Sequence, residues 1–160
     1  MEGYDTAQIC QNGHVVNSRV KANPQRNQNY CEQCGSATIT NCPNCNSSIR
    51  GIDSSYRGSM SIGYHVPSFC INCGQPYPWI KSKLQAAHEL AQETGGISDE
   101  EREVLQKSID DIVKDTPSTP LAITRFKKIM VKVGQTTAGM FREILVDVLS
   151  EAAKRALFPS

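Results

Sequence analysis

The chain reads as an α+β protein whose first half is a set of short cysteine-bearing β-hairpins and whose second half is helical. Three observations predict this. All seven cysteines lie before residue 74 and none follows. Six of them form three Cys-x-x-Cys pairs, at Cys31/Cys34, Cys42/Cys45 and Cys70/Cys73, and the seventh belongs to the variant Cys10-Gln-Asn-Gly-His14. From Lys81 onward the apolar residues recur at helical spacing. The expected division is a domain over residues 1–80 and a helical region over 81–160.

The elements follow in order. Ala7–Ile9 suits a strand entering the first half-site, and Val15–Val16 a strand leaving it. The run 17–30, NSRVKANPQRNQNY, is a polar loop carrying Arg19, Lys21 and Arg26, with no acid between Asp5 and Glu32. Residues 37–40, ATIT, are β-branched and predict a short strand, and Ser47–Ile52 predicts another. Residues 53–69 are rich in Ser and Gly and read as a hairpin with a loose tip. QPYPW, 75–79, reads as an extended exit that folds back on the second pair of half-sites.

The helical half is expected to hold helices at about 82–94, 98–114 and 120–158. Gly95 and Gly96 end the first. Ser98 with Glu101 three residues on forms a capping box for the second, and Asp99, Glu100 and Glu101 suit a positive helix start. Thr119 before Pro120 reads as a cap followed by proline at the first helical position. Gly134 and Gly139 bracket a weak centre, so a break is expected near 134–139.

Composition narrows the function classes. Formal net charge is +1 and charged residues are 21% of the chain, which excludes a strongly basic nucleic-acid binder legible from charge alone. Residues 1–80 carry five Lys/Arg against four Asp/Glu. The opening MEGYDTAQ has no basic start and no apolar run, no stretch is apolar enough to span a bilayer, and an odd number of cysteines argues against a closed disulfide set. A cytoplasmic, reducing location is the expectation.

Adding His14 to the seven cysteines gives eight donors, two sets of four with none left over. Paired thiolates at this spacing grip one metal, and the glycines after them permit the tight turn beneath. Soft sulfur donors select zinc or iron–sulfur clusters over hard cations. The expected ligands are Cys10, His14, Cys31, Cys34, Cys42, Cys45, Cys70 and Cys73, holding two structural Zn2+ ions in tandem zinc ribbons. Sequential pairing of the half-sites is favoured; a cross-braced arrangement also fits the loop lengths, and a nested one fits least well. His65 and His88 lack partners and read as structural; Glu32 and Asp53 read as solvated. No HExxH, deaminase pattern or glycine-rich phosphate loop occurs, so no catalytic residue is expected.

The order ICQNGHVV, YCEQCG, CPNC, IRG and FCINCGQPYPW, followed by TPSTPLAITRFKK at 116–128, resembles a family of small uncharacterised bacterial proteins, a domain of unknown function with zinc ribbons. The resemblance implies two ribbon-type zinc sites on the eight donors and no known activity.

The functional expectation is an interaction or adaptor protein that is not an enzyme. Its C-terminal helices would bind a protein partner or self-associate through the wide apolar stripe from Phe126 to Leu157. The alternative is nucleic-acid binding, with Arg19, Lys21, Arg26, Arg50 and Arg57 on phosphates and Tyr30, Tyr56, Tyr64 and Trp79 stacking on bases. Arg125, Lys127, Lys128 and Lys132 beside the stripe could meet an anionic membrane, but Glu143, Asp147 and Glu151 disfavour it.

Overall fold

A computed structural model describes residues 3–56 and 63–159. The chain divides into two units, Met1–Lys81 and Ser82–Ser160.

The first unit is built on short antiparallel pairings. Strand β1 (Tyr4–Thr6) pairs with β5 (Arg50–Asp53), and β2 (Gln8–Cys10) lies between β3 (Val15–Asn17) and β4 (Thr38–Ile39). Ile9 stands opposite both Val15 and Ile39. Gly51 in β5 is needed for close approach: a Cβ there would lie 2.4 Å from the Ser18 carbonyl oxygen. The apolar centre is small, with Ala7, Ile9, Ile49, Tyr77, Trp79 and Ile80 as its buried members besides cysteine. So little apolar area cannot hold a domain by itself.

The 17–30 loop is more ordered than its composition suggests. Buried Asp5 accepts from the backbone N–H groups of Thr6, Lys21 and Ala22. Asn17 donates to the Asn23 carbonyl at 2.9 Å, and Gln8 exchanges bonds with both backbone groups of Gln28. A short 3-10 turn at Pro24–Arg26 interrupts it. Burial opposes ionisation of Asp5, but the three backbone donors outweigh it and hold the carboxyl below its ordinary range.

The hairpin expected over 53–69 is not built on the described residues. Strand β5 pairs with β1 instead, and 63–67 hold no strand; the tip, 57–62, lies outside the described residues. The Tyr64 hydroxyl donates to the Arg50 carbonyl, which ties the returning segment to β5 from outside the ladder. Burial pushes the Tyr64 phenol up to about 12.

The exit QPYPW also differs from expectation. Only Gln75–Tyr77 is extended; Pro78 opens α1 (Pro78–Glu93), so Trp79 is already helical. Proline at a helix start loses no bond, because the first N–H groups of a helix have no partner within it. The second unit continues with α2 (Asp99–Lys114), α3 (Thr119–Val133), α4 (Gln135–Leu145) and α5 (Glu151–Leu157).

The capping box of α2 is present in both directions between Ser98 and Glu101. Arg102 satisfies the end of α1, donating to the Ala91 and Thr94 carbonyls at 3.1 and 2.8 Å. His88 pairs with Asp110 at 2.9 Å, joining α1 to α2. Thr119 is the first residue of α3 rather than its cap; its hydroxyl donates to the Asp111 carbonyl and accepts from Thr116 N–H. The expected break falls at Gly134, whose φ of 90° suits glycine, and Gly139 is inside α4. A second break at 146–150 divides the remainder, with Ser150 capping α5 by accepting from Ala153 N–H.

The Phe126–Leu157 stripe is largely consumed within the unit. Phe126, Ile129, Phe141, Leu145, Leu149, Ala153 and Leu157 are buried, and Phe126 meets Phe141 edge to face at 5.9 Å. Lys132 pairs with Glu101. Val131, Leu121 and Met140 remain exposed. Among the described residues no helix is long and apolar enough to cross a membrane.

Candidate metal centres

The four half-sites use closely related small turns, closing three residues after Cys10 and four residues after Cys31, Cys42 and Cys70. The chain passes its first cysteine, turns, and returns a backbone N–H to that cysteine's carbonyl: Gly13 to Cys10, Gly35 to Cys31, Asn46 to Cys42 and Gly74 to Cys70, all at 2.8–2.9 Å. The turning residue sits at positive φ in all four: 91°, 72°, 64° and 74°. Glycine does this without strain, and in the third turn Asn46 takes its place, asparagine being the side chain that best tolerates the left-handed region. Backbone N–H groups of His14, Gln33 and Asn72 point at the sulfurs of Cys10, Cys31 and Cys70 at 3.3–3.4 Å.

The half-sites come together in sequence order. Cys10, His14, Cys31 and Cys34 form one tetrad, and Cys42, Cys45, Cys70 and Cys73 the other. Within each, all donor atoms lie within 4.8 Å of one another. In the first, Cys10 Sγ is 3.4 Å from His14 Nδ1 and 3.7 Å from Cys34 Sγ, and Cys31 Sγ is 3.6 Å from His14 Nδ1. In the second, Cys42 and Cys73 are 3.8 Å apart, and Cys45 and Cys70 3.6 Å. None of the seven cysteines is in a disulfide. A tetrahedron with metal–sulfur arms of about 2.3 Å has edges of about 3.8 Å. The sulfurs therefore stand where one shared ion would hold them. The β2–β4 pairing places Cys10 opposite Thr38, which brings the first and second half-sites face to face.

The chain belongs to DUF2321. That family is described as uncharacterized protein conserved in bacteria, and its model matches residues 3–157. Comparison with curated proteins and with solved structures gave no match. The chain is thus a DUF2321 protein with two Cys/His tetrads positioned to hold metal ions.

Each tetrad has buried and more exposed sulfurs. Burial pushes the Cys10 and Cys42 thiols up. Cys34 is exposed and Cys45 half-buried, and neighbouring hydroxyls lower both thiols: Ser36 first of all brings Cys34 down to about 5, and Ser47 first of all brings Cys45 down to about 6. Asn12 Nδ2 donates to Cys34 at 3.4 Å and to Ser36 at 2.9 Å, while Ser47 Oγ lies 3.1 Å from Cys45, whose thiol the Asn72 amide lowers further. The spacing repeats: Asn12 and Asn72 each follow their first cysteine by two, and Ser36 and Ser47 each follow their last cysteine by two. Sequence reasoning does not single out these four, although the Cys-x-Asn and Cys-x-Ser repeat was there to find. Nor does it single out Tyr77, a buried residue whose ring stacks on that of Trp79.

The residues named for nucleic-acid binding are differently placed. Trp79 is buried at 5% exposure and its Nε1 donates to the Pro67 carbonyl, so it offers no stacking face. Arg19 donates to the Tyr56 carbonyl, Arg50 lies over the Tyr4 ring at 4.2 Å, and Arg57 lies outside the described residues. Tyr30 and Tyr56 are exposed. His65 is exposed, and Asp53 accepts from Ser55.

Proposed function

We propose that both tetrads hold structural Zn2+ and that the protein is a non-enzymatic interaction module. One observation carries this reading: each cluster already supplies four protein donors. Structural zinc sites are closed tetrahedra of Cys and His, whereas catalytic zinc keeps a position for water or substrate. Neither tetrad includes a carboxylate that could act as a base. With so small an apolar centre, metal binding worth about 10–16 kcal/mol per ion in zinc-finger peptides is the natural source of stability for the first unit.

The partner is a protein, met through the helical unit or by self-association. Burial of most of the Phe126–Leu157 stripe weakens self-association through it, so the support left is the exposed apolar Val131, Leu121 and Met140. Nucleic-acid binding is the weaker alternative, since its strongest aromatic, Trp79, is enclosed.

The test is coordination chemistry. Elemental analysis of protein purified under reductant should find two zinc ions per chain. After replacement by Co2+, adding azide or cyanide should leave the visible absorption unchanged. A spectrum that shifts on anion binding would mean an open coordination position, and the structural reading would be wrong.

A further inference from the structure

The two tetrads are not separate beads. The segment that follows the last cysteine of the second tetrad packs on the turn of the first. Cys70 N–H donates to Gln75 O at 2.9 Å, Phe69 pairs with Pro76, and Tyr77 N–H donates to Ser68 O at 3.0 Å. Closing the fourth half-site therefore sets the course of the chain into Tyr77 and Trp79. Tyr77 is 2% exposed and stacks on Trp79 with centroids 4.8 Å apart and planes 20° from parallel. Trp79 in turn lies over Gly13, inside the first metal turn. A Cβ at Gly13 would be 3.1 Å from Trp79 Cβ and 3.3 Å from its Cγ. Glycine at this position thus serves two needs, a φ of 91° and close approach of the indole.

A second connection runs through the backbone. Residues 35–41 are shared between the tetrads, leaving Cys34 and entering Cys42. On the way, β4 pairs Ile39 with Ile9 and Thr38 with Cys10. Ile49 N–H then donates to Thr40 O at 2.9 Å, and Ala7 N–H to Ile49 O at 2.8 Å. Ala7, Ile9 and Ile49 are all fully buried.

We infer that the two sites load zinc cooperatively, as one two-ion unit, with the Tyr77–Trp79 stack on Gly13 as a coupling element. The inference rests on the structural-zinc reading above. The physical basis is linkage. An ion at the second tetrad orders Tyr77 and Trp79, which cover the first turn, so the first ion finds a site already assembled. Reciprocity requires the same factor in the other direction. The biological consequence is a threshold: chains carry two ions or none, and a half-loaded form is scarce.

The test is native mass spectrometry of the full metal-free chain under reductant, equilibrated with one equivalent of Zn2+. Two equal and independent sites would leave about half of the chains with one ion; coupling of about fivefold or more leaves clearly fewer, with metal-free and two-ion chains in excess. A one-ion species at half or above overturns the inference. As an independent check, zinc affinity of the first tetrad in a Cys70→Ser/Cys73→Ser chain, measured by competition with a chromophoric chelator, should be at least about fivefold weaker than in the intact chain. Unchanged affinity overturns the inference equally. In Trp79→Leu the one-ion species should rise towards the independent value, and no rise would remove Trp79 from the route. Failure to bind zinc at all would count against the structural-zinc reading, whereas stepwise uptake of two ions would count against cooperativity alone.

Discussion

At the scale of single residues, the turns of the two Cys/His tetrads show side chains doing work that Cys and His alone do not. The Cys34 and Cys45 thiols are lowered by Ser36 with Asn12 and by Ser47 with Asn72. Hydrogen bonds to a ligand fix its orientation and its basicity, and losing one commonly costs about 10–100-fold in metal affinity. Asn12→Ala should therefore release zinc from the first tetrad to a competing chelator at about 10–100-fold lower chelator concentration, with helical circular dichroism unchanged. Asp5 is a residue of the opposite kind, a buried carboxylate serving only backbone. Asp5→Ala should cost about 1–3 kcal/mol, because it removes the charged acceptor of three backbone N–H groups, and amide exchange at Lys21 and Ala22 should quicken. The eight donors were legible because their spacing has few other uses. Asp5 was not legible, since one acid among polar residues carries no period and two of its three donors lie 16 and 17 residues further along the chain. Asn46 was hidden by its identity: nothing in CPNCN marks that asparagine as standing where the other turns have glycine.

At the scale of elements, the junction of α2 with α3 gives a pH test that does not depend on metal. Glu101 accepts from Ser98 N–H and from Lys132, and Lys132 first of all holds its carboxyl below the ordinary range. A depressed folded value means the stabilisation is complete above the unfolded pKa, about 4.3, and disappears as pH falls through the lower folded value. Urea unfolding followed at the helical unit should show wild type more stable than Glu101→Gln at neutral pH. The two should converge as pH drops below about 4. Helices were readable wherever punctuation was local: Ser98 with Glu101 marked a start, and Gly134 marked a stop. The break at 146–150 was less so, because Val146, Val148 and Leu149 continue the apolar period while only the Ser150 cap disturbs it. Pro78 misled in the other way. Two prolines around Tyr77 suggested a rigid extended exit, yet proline is well placed in the first turn of a helix.

At the scale of the whole molecule, two kinds of stability share one chain. Ser82–Ser160 is held by interlocked apolar side chains such as Leu105, Ile109, Phe126 and Phe141, all nearly or fully buried. Met1–Lys81 has few such residues and is organised around its two tetrads. The change at Lys81 was visible as a change of composition, from cysteine, asparagine and serine to helix formers. What composition could not reveal was the role of Tyr77 and Trp79, whose stacking on each other and over Gly13 is set by the folded turns. The most direct test is the amide NMR spectrum of the full chain before and after exhaustive chelation under reductant, with metal removal verified by elemental analysis. If metal holds the first unit together, resonances from residues 3–56 and 63–77 collapse to the narrow range of an unfolded chain while those from 98–157 keep their positions. Persistence of the first-unit resonances in metal-free protein would contradict this outright.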